Sequence, residues 1–254
     1  MPTPIEILLD PVSIVVLLIY AGLILAEYLL PGNTLPKVPG WLPRTLLTFV
    51  SYFFLSAYLP LIWDDKLAQF QLFDLSNLGV LPSTIVAVLV FEFLIYVWHR
   101  SMHSNQFLWR VFHQMHHSAE RVDTLGAFYF SPADMVGFTL VGSLSLVVIV
   151  GIPAESATYF LYITMFLGIF QHTNVRTPRW LGYLIQRPES HSLHHQKGVH
   201  RFNYSDLPLF DILFGTFKNP DEFASETGFY LGASARVGDM WIGKDVSEST
   251  HDSK

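Results

Sequence analysis

Five apolar stretches punctuate the hydropathy pattern of this chain. Residues 12–30, 45–63 and 78–98 come first, with Glu27 near the end of the first stretch and Glu92 inside the third. Residues 135–152 and 156–170 follow, separated by the break Gly151-Ile152-Pro153-Ala154-Glu155. A helix needs roughly 20 predominantly apolar residues to cross hydrocarbon. The first three stretches are thus predicted to span a membrane, and the last two, slightly short, to form a helical hairpin. Buried helices in a water-soluble core are the alternative, but five such runs in 254 residues leave too little polar chain to cover them. The expected fold is an all-α membrane protein with about four to five transmembrane helices.

Composition agrees. Hydrophobic residues make up 51% of the chain and charged residues only 14%, well below the quarter typical of soluble domains. The absence of cysteine excludes disulfides, thiolate-bound zinc, iron–sulfur clusters and cysteine nucleophiles, so a metal here must be held by histidine, carboxylate or carbonyl groups. A net charge of -6 offers no general basic surface, which argues against a nucleic-acid partner. If five helices alternate, fourteen of the fifteen Lys and Arg residues share one side and only Lys66 lies opposite, beside Asp64, Asp65 and Asp74. Cytoplasmic loops carry the positive excess, so the histidine-bearing side is predicted to be cytoplasmic and the N-terminus external. The first stretch lacks a basic leader and reads as a retained helix.

The chemistry lies with the histidines. None occurs before His99, ten fall between His99 and His200, and His251 stands apart, where it reads as an ordinary surface or packing residue. His99 and His103 form H-x-x-x-H; His113, His116 and His117 form H-x-x-H-H, and His191, His194 and His195 repeat it; His172 stands alone after the fifth apolar stretch. Random placement yields only about 0.02 copies of H-x-x-H-H in a chain with this histidine content, so two copies are a signal. Residues three and four apart share a helix face, which makes each group a ready-made half-site for one ion.

A straight helix from His99 to His117 would separate its ends by roughly 27 Å, too far for a shared site. The chain must therefore turn, and Ser104-Asn105 offers the break, with Asn105 as N-cap of the next helix. Pro188, Glu189 and Gly198 bracket a short helix around the third group. The predicted hairpin leaves the histidine side after Asp134 and returns to it at His172, so all four groups can converge. Nine imidazoles exceed the capacity of one ion and point to two. Spacing leaves iron, zinc, copper and nickel open.

In this order, and with membrane helices between them, the motifs resemble the fatty acid hydroxylase / sterol desaturase superfamily over residues 80–218. Trp98-His99-Arg100, Gln171-His172-Thr173-Asn174 and Asn203-Tyr204 strengthen the resemblance, whereas Ser205 stands where many relatives carry Gly. The resemblance implies a helical cytosolic cap holding two iron ions on His99, His103, His113, His116, His117, His172, His191, His194 and His195. It implies O2-dependent hydroxylation or desaturation of a fatty acyl, sterol or related lipid. Electrons must arrive from a separate ferredoxin, cytochrome or reductase, since the chain has neither cysteine nor a nucleotide-binding loop.

The chain then divides, within one integral-membrane domain, into N-terminal membrane helices (1–80), a catalytic region (80–218) and a polar C-terminal tail (219–254). Glu92, Tyr96, His200 and Asn203 are candidates for supporting the ligands, Glu92 by a hydrogen bond to an imidazole. Arg176, Arg179, Arg187, Lys197 and Arg201 can dock an acidic electron donor, although positive-inside bias explains them equally well. The short chain, without a fused electron-transfer domain or retrieval signal, points to a bacterial cytoplasmic membrane, or to the endoplasmic reticulum in a eukaryote. Two rival readings are a zinc-dependent membrane hydrolase, active without oxygen or reductant, and a non-enzymatic metal transporter or sensor. The latter would place its ligands inside the spans.

Overall fold

The computed structural model describes residues 1–248. Helices α1 (Pro4–Leu9) and α2 (Pro11–Leu29) are followed by α3 (Trp41–Tyr58), which runs on through α4 (Pro60–Leu67), and then by α5 (Val80–Ser104). The short α6 (Gln106–Leu108) leads through a π-helical turn, Trp109–His113, into α7 (Gln114–His117). The hairpin pairs α8 (Pro132–Ser143), extended by a second π-helical segment, Leu144–Val150, with α9 (Ala154–Phe170). Short helices α10 (Pro188–His194), α11 (Leu209–Leu213) and α12 (Val237–Trp241) complete the cap. The described residues contain no β-strand, only the isolated bridges Pro31 to Val175 and Gln196 to Thr227.

Among the described residues four segments are long and apolar enough to cross a membrane: Pro11–Leu29, Trp41–Phe70, Val80–Ser104 and Pro132–Val150. The helix Ala154–Phe170 is apolar but shorter, at 17 residues. Their surfaces have the polarity expected in lipid. Along α5, Leu81, Ile85, Leu89, Phe93 and Val97 recur every fourth residue and all are exposed, while Ala87, Glu92, Ile95, Tyr96 and His99 face inward. A continuous exposed apolar stripe beside a buried polar one is costly in water and favourable in a bilayer. The protein is a multi-pass, all-helical membrane protein.

Two carboxylates, the half-buried Glu27 and the buried Asp123, tie the helices to the cap. Glu27, near the end of α2, accepts hydrogen bonds from the Thr124 N–H and hydroxyl and from the Asn174 N–H, joining one helix to two loops. Asp123 accepts from the Trp41 indole at 3.0 Å and from the Gly126 N–H at 2.8 Å. Residues beyond 219, expected as a polar tail, instead contribute Phe229, Ala233, Met240 and Val246 to a buried cluster with Trp41, Met115 and Tyr129. This cluster lies directly behind α7 and fixes that helix from the outside.

Candidate metal centre

Asn105 ends α5 and starts the next helix, its Oδ1 accepting from the N–H groups of Phe107 and Leu108. Four residues on, the helix widens into its π turn. Ser131 donates its hydroxyl to the carbonyls of Val111 and Phe112 in that turn, supporting backbone that a regular helix would have paired differently. Pro188 occupies the first turn of α10, and Gly198, after its end, has φ +75°. Glu189 turns away from the histidines and bonds Thr177 and Arg187.

The nine histidines assemble into two groups within which the nearest ring nitrogens all lie within 4.8 Å of one another. His99, His103, His113, His117 and His194 make one; His116, His172, His191 and His195 make the other. The H-x-x-x-H pair serves a single group, as its spacing suggests. Each H-x-x-H-H motif, however, is divided rather than being a half-site. Across the π turn and α7 the i,i+4 pair His113 and His117 joins the first group and His116 the second; across α10 and the residue that caps it the pair His191 and His195 joins the second and His194 the first. Positions i+3 and i+4 diverge by about 100° around a helix, so a helix wedged between two ions can serve both. The rings of His117 and His195 stack at 4.2 Å where the two helices meet.

Hydrogen bonds fix several tautomers. The Nδ1–H groups of His99, His172 and His194 donate to the carbonyls of Tyr204, Gly168 and Phe202, at 2.7, 2.7 and 2.6 Å. That of His113 donates to Asp134 at 3.0 Å. In each ring the bare Nε2 lone pair is thereby turned inward. The Nε2 atoms of His99 and His113 then face each other at 2.9 Å with no proton between them. Lone pairs this close repel unless a cation lies alongside. In the second group the Nε2 atoms of His116 and His191 lie 3.1 and 2.9 Å from that of His172, and that of His195 lies 3.1 Å from His191. Nitrogens about 2.1 Å from an ion are about 3.0 Å apart when mutually perpendicular and about 3.4 Å apart in a tetrahedron. The short contacts have the spacing of nitrogens that share an ion, and the residues fit bound metal ions.

Electrostatics favour the same outcome. Burial, reinforced by mutual repulsion, holds His113, His116, His117, His191, His194 and His195 well below the usual imidazole range. Burial lowers His172 and His200 to about 4. At neutral pH these rings are neutral and their lone pairs are available to an ion.

Supporting residues act largely through the backbone. Glu92 reaches no imidazole; it accepts from the N–H groups of Asp206 and Leu207, anchoring the segment whose Tyr204 carbonyl receives His99. Asn203 clamps the same loop through Ser190 and Lys218. Tyr96 bonds Thr216 and Arg100 rather than a histidine. His200 places its Nδ1 3.1 Å from Nδ1 of His117. The loop is strained, with positive φ at His200, Phe202 and Asn203. Ser205 is not among these positions; its N–H and hydroxyl both bond the buried Asp211.

Sequence reasoning missed Asp134, the direct partner of His113, because one aspartate opening an apolar helix looks like ordinary N-terminal charge. It also missed Asp206, which lines the histidine chamber, accepts from Gln171 Nε2 at 2.6 Å and is pushed up to about 7 by burial. Of the basic residues considered for a docking surface, Arg176, Arg179 and Lys197 are already paired with Glu222, Asp221 and Glu226, and Arg187 is buried against Glu189. His251 lies outside the described residues.

Comparison with known proteins gives a consistent answer. Ornithine lipid hydroxylase OlsE of Rhizobium tropici is 31% identical over 141 residues, covering 54% of this chain and 42% of that protein. Very-long-chain aldehyde decarbonylase GL1-9 of Oryza sativa subsp. indica is 29% identical over half of each chain. Sphinganine C4-monooxygenase 1 of Arabidopsis thaliana is 24% identical over 60% of this chain and 58% of its own length. The chain thus spans about half the length of the curated relatives it matches. No solved structure gives a significant match. The profile of the fatty acid hydroxylase family matches residues 84–216, a span that holds all nine clustered histidines and Asp134, and the chain belongs to that family.

Proposed function

We propose that this protein is a membrane-bound di-iron oxygenase that hydroxylates or desaturates a lipid, taking electrons from a separate donor. The observation that carries the reading is the convergence of buried, neutral imidazoles into two adjacent groups, with the Nε2 lone pairs of His99 and His113 opposed at 2.9 Å. His99, His103, His113, His117 and His194 would hold one ion and His116, His172, His191 and His195 the other. A bound iron pair supplies the reduction of O2 and the oxidising strength needed to break an unactivated C–H bond. Ligand sets of five and four nitrogens suit ions of higher coordination number with positions left open, and the set of five exceeds the four ligands of the tetrahedral zinc of the hydrolase alternative.

The protein's own residues orient, insulate and supply protons. Backbone carbonyls and Asp134 hold the imidazoles in the ligating tautomer. Phe130 and Phe138 pack on the His116 and His113 rings and keep that side of the chamber dry. The Asp206 carboxyl, able to exchange a proton near neutral pH, is positioned to serve proton transfer at its Oδ atoms. The biased distribution of Lys and Arg supports a cytoplasmic location for this face, where a ferredoxin, cytochrome or reductase can reach it.

The test is metal analysis of protein purified anaerobically in detergent, alongside His116→Ala and His194→Ala, one from each group. About two irons per chain, reduced in both variants, and lipid-dependent O2 consumption with reductant are expected. Absence of bound metal in folded protein, or native zinc with oxygen-independent turnover, would overturn the proposal.

A further inference from the structure

One surface of the cap is built the wrong way round for water. In α11 the only charged residue, Asp211, is fully buried and accepts from the N–H groups of Tyr204 and Ser205, while Leu209, Ile212, Leu213 and the adjoining Phe214 are exposed. These side chains continue the lipid-facing stripe of α5. Phe93 of that stripe meets the rings of Phe210 and Phe214 at 5.4 and 6.5 Å, and Phe214 stacks on Tyr96 at 5.1 Å. An apolar surface continuous with a membrane-spanning face is covered by the same hydrocarbon. Beside it Trp180 and Tyr183 are exposed, with Tyr183 packed on Phe217, as aromatic residues at headgroup level are.

Cations without partners stand at the edge of this surface. Nη1 of Arg100 donates to the Tyr96 hydroxyl at 2.7 Å, and that hydroxyl lies 3.2 Å from the Thr216 hydroxyl, which places Arg100 beside the segment leading to Lys218. Nζ of Lys218 and the guanidinium of Arg201 both sit over the Phe202 ring, 5.2 and 5.0 Å from its centroid. All three residues are exposed, and among the described residues none has a carboxylate within ion-pair distance, whereas Arg176, Arg179 and Lys197 elsewhere on the cap are paired. Two like charges thus share one ring with nothing of opposite sign beside them, an arrangement that a bound anion stabilises. None of the three lines the chamber among the histidines, so the anion they face lies outside it.

We propose that Arg100, Arg201 and Lys218 bind the phosphate of an anionic phospholipid whose acyl chains lie on Ile212, Leu213 and Phe214, a lipid of the surrounding leaflet and not the substrate. The adjoining apolar surface decides against an acidic protein, whose charged face would be desolvated against leucines. The site needs the membrane embedding but not the oxygenase reading. It also reaches inward: Phe202, whose ring both cations share, gives its carbonyl to His194, so a lipid bound there steadies the strained loop that aims this histidine.

The experiment offers the purified full chain in detergent equal amounts of phosphatidylglycerol and phosphatidylcholine and counts retained lipid by native mass spectrometry. Wild type should retain phosphatidylglycerol preferentially. Each basic residue beside an anionic headgroup is worth about fivefold in affinity, so Arg201→Gln and Lys218→Gln together should weaken that retention about 30-fold and leave phosphatidylcholine as it was. Circular dichroism checks the fold; if the double variant is unfolded, Lys218→Gln alone, with about a fivefold loss, replaces it. The chain has no cysteine, so a single introduced one can be labelled alone. In nanodiscs a fluorophore on Leu213→Cys should be quenched by phospholipid carrying a nitroxide near the headgroup end of its acyl chain, and one on Glu226→Cys, at the exposed pair with Lys197, should not. Equal retention of the two lipids, or phosphatidylglycerol retention unchanged in the folded variant, would overturn the proposal. So would an unquenched label at Leu213, which would leave the cations to an acidic protein. Displacement of the lipid by an equal concentration of glycerol phosphate would overturn it in favour of a soluble-phosphate site.

Discussion

Replacing Asp134 tests whether the hydrogen bonds behind the histidines prepare them for metal. The carboxylate is fully buried, and its Oδ2 accepts from His113 Nδ1 at 3.0 Å, the one side-chain carboxylate that bonds a clustered histidine among the described residues. Asp134→Asn can still offer an amide oxygen to His113 but cannot take the ionised form that a bound cation would favour. Since a hydrogen bond to an ionised acceptor contributes about 1.5–3 kcal/mol and a neutral one about 0.5–1.5, the loss is about 1 kcal/mol, or roughly fivefold in metal affinity. Asp134→Ala removes the acceptor and leaves a buried N–H unpaired, a loss of about 2–3 kcal/mol, or roughly 30- to 150-fold. The assay is competition for iron against a chelator of known affinity under anaerobic conditions, with helicity recorded by circular dichroism. The ordering wild type, Asn, Ala is the expected result. Equal metal affinity in all three folded proteins would refute the reasoning, because His113 would then need no fixed tautomer.

Two further outcomes follow from the same geometry. Glu92→Ala removes the acceptor shared by the Asp206 and Leu207 N–H groups; amide exchange over residues 204–207 should rise and metal content fall, with Glu92→Gln largely retaining both, whereas unchanged exchange in Glu92→Ala would show that the loop is held elsewhere. In chelated protein His172 and His200 have folded pKa values depressed to about 4 from 6.5, so their neutral forms favour the fold. Their contribution, up to about 3 kcal/mol each, is fully present above pH 6.5 and lost as the pH falls towards 4, because the unfolded chain binds the extra protons first. Thermal unfolding in detergent should show the melting temperature falling across that window, and a flat profile from pH 7 to 4 would contradict the neutral-imidazole assignment.

Much of this arrangement is legible in the sequence because it depends on local rules. Apolar length marks the membrane helices, Asn105 caps a turn, Pro188 and Gly198 bracket α10, and eight histidines at helical spacing, with His172, mark the residues that converge. What escaped depends on tertiary contact. The division of each H-x-x-H-H motif between two groups requires knowing that α7 and α10 lie between them, since the same spacing also suits one ion. The carbonyls of Phe202 and Tyr204 carry no side-chain signature, and their direction is set by a strained loop clamped by Asn203, Glu92 and Asp211. The residues after 219 look polar on average, and only the few buried by the cap, such as Phe229 and Met240, reveal their packing role.

The divided motifs also bear on how the site fills. His116 and His117 are neighbours on one backbone, as are His194 and His195, yet each pair reaches into both groups. An ion held by either group would draw on both α7 and α10 and so fix ligands of the other group as well. Loading is then expected to be cooperative, and native mass spectrometry of a partly metallated sample should find empty and fully loaded chains; a dominant singly loaded species would contradict this.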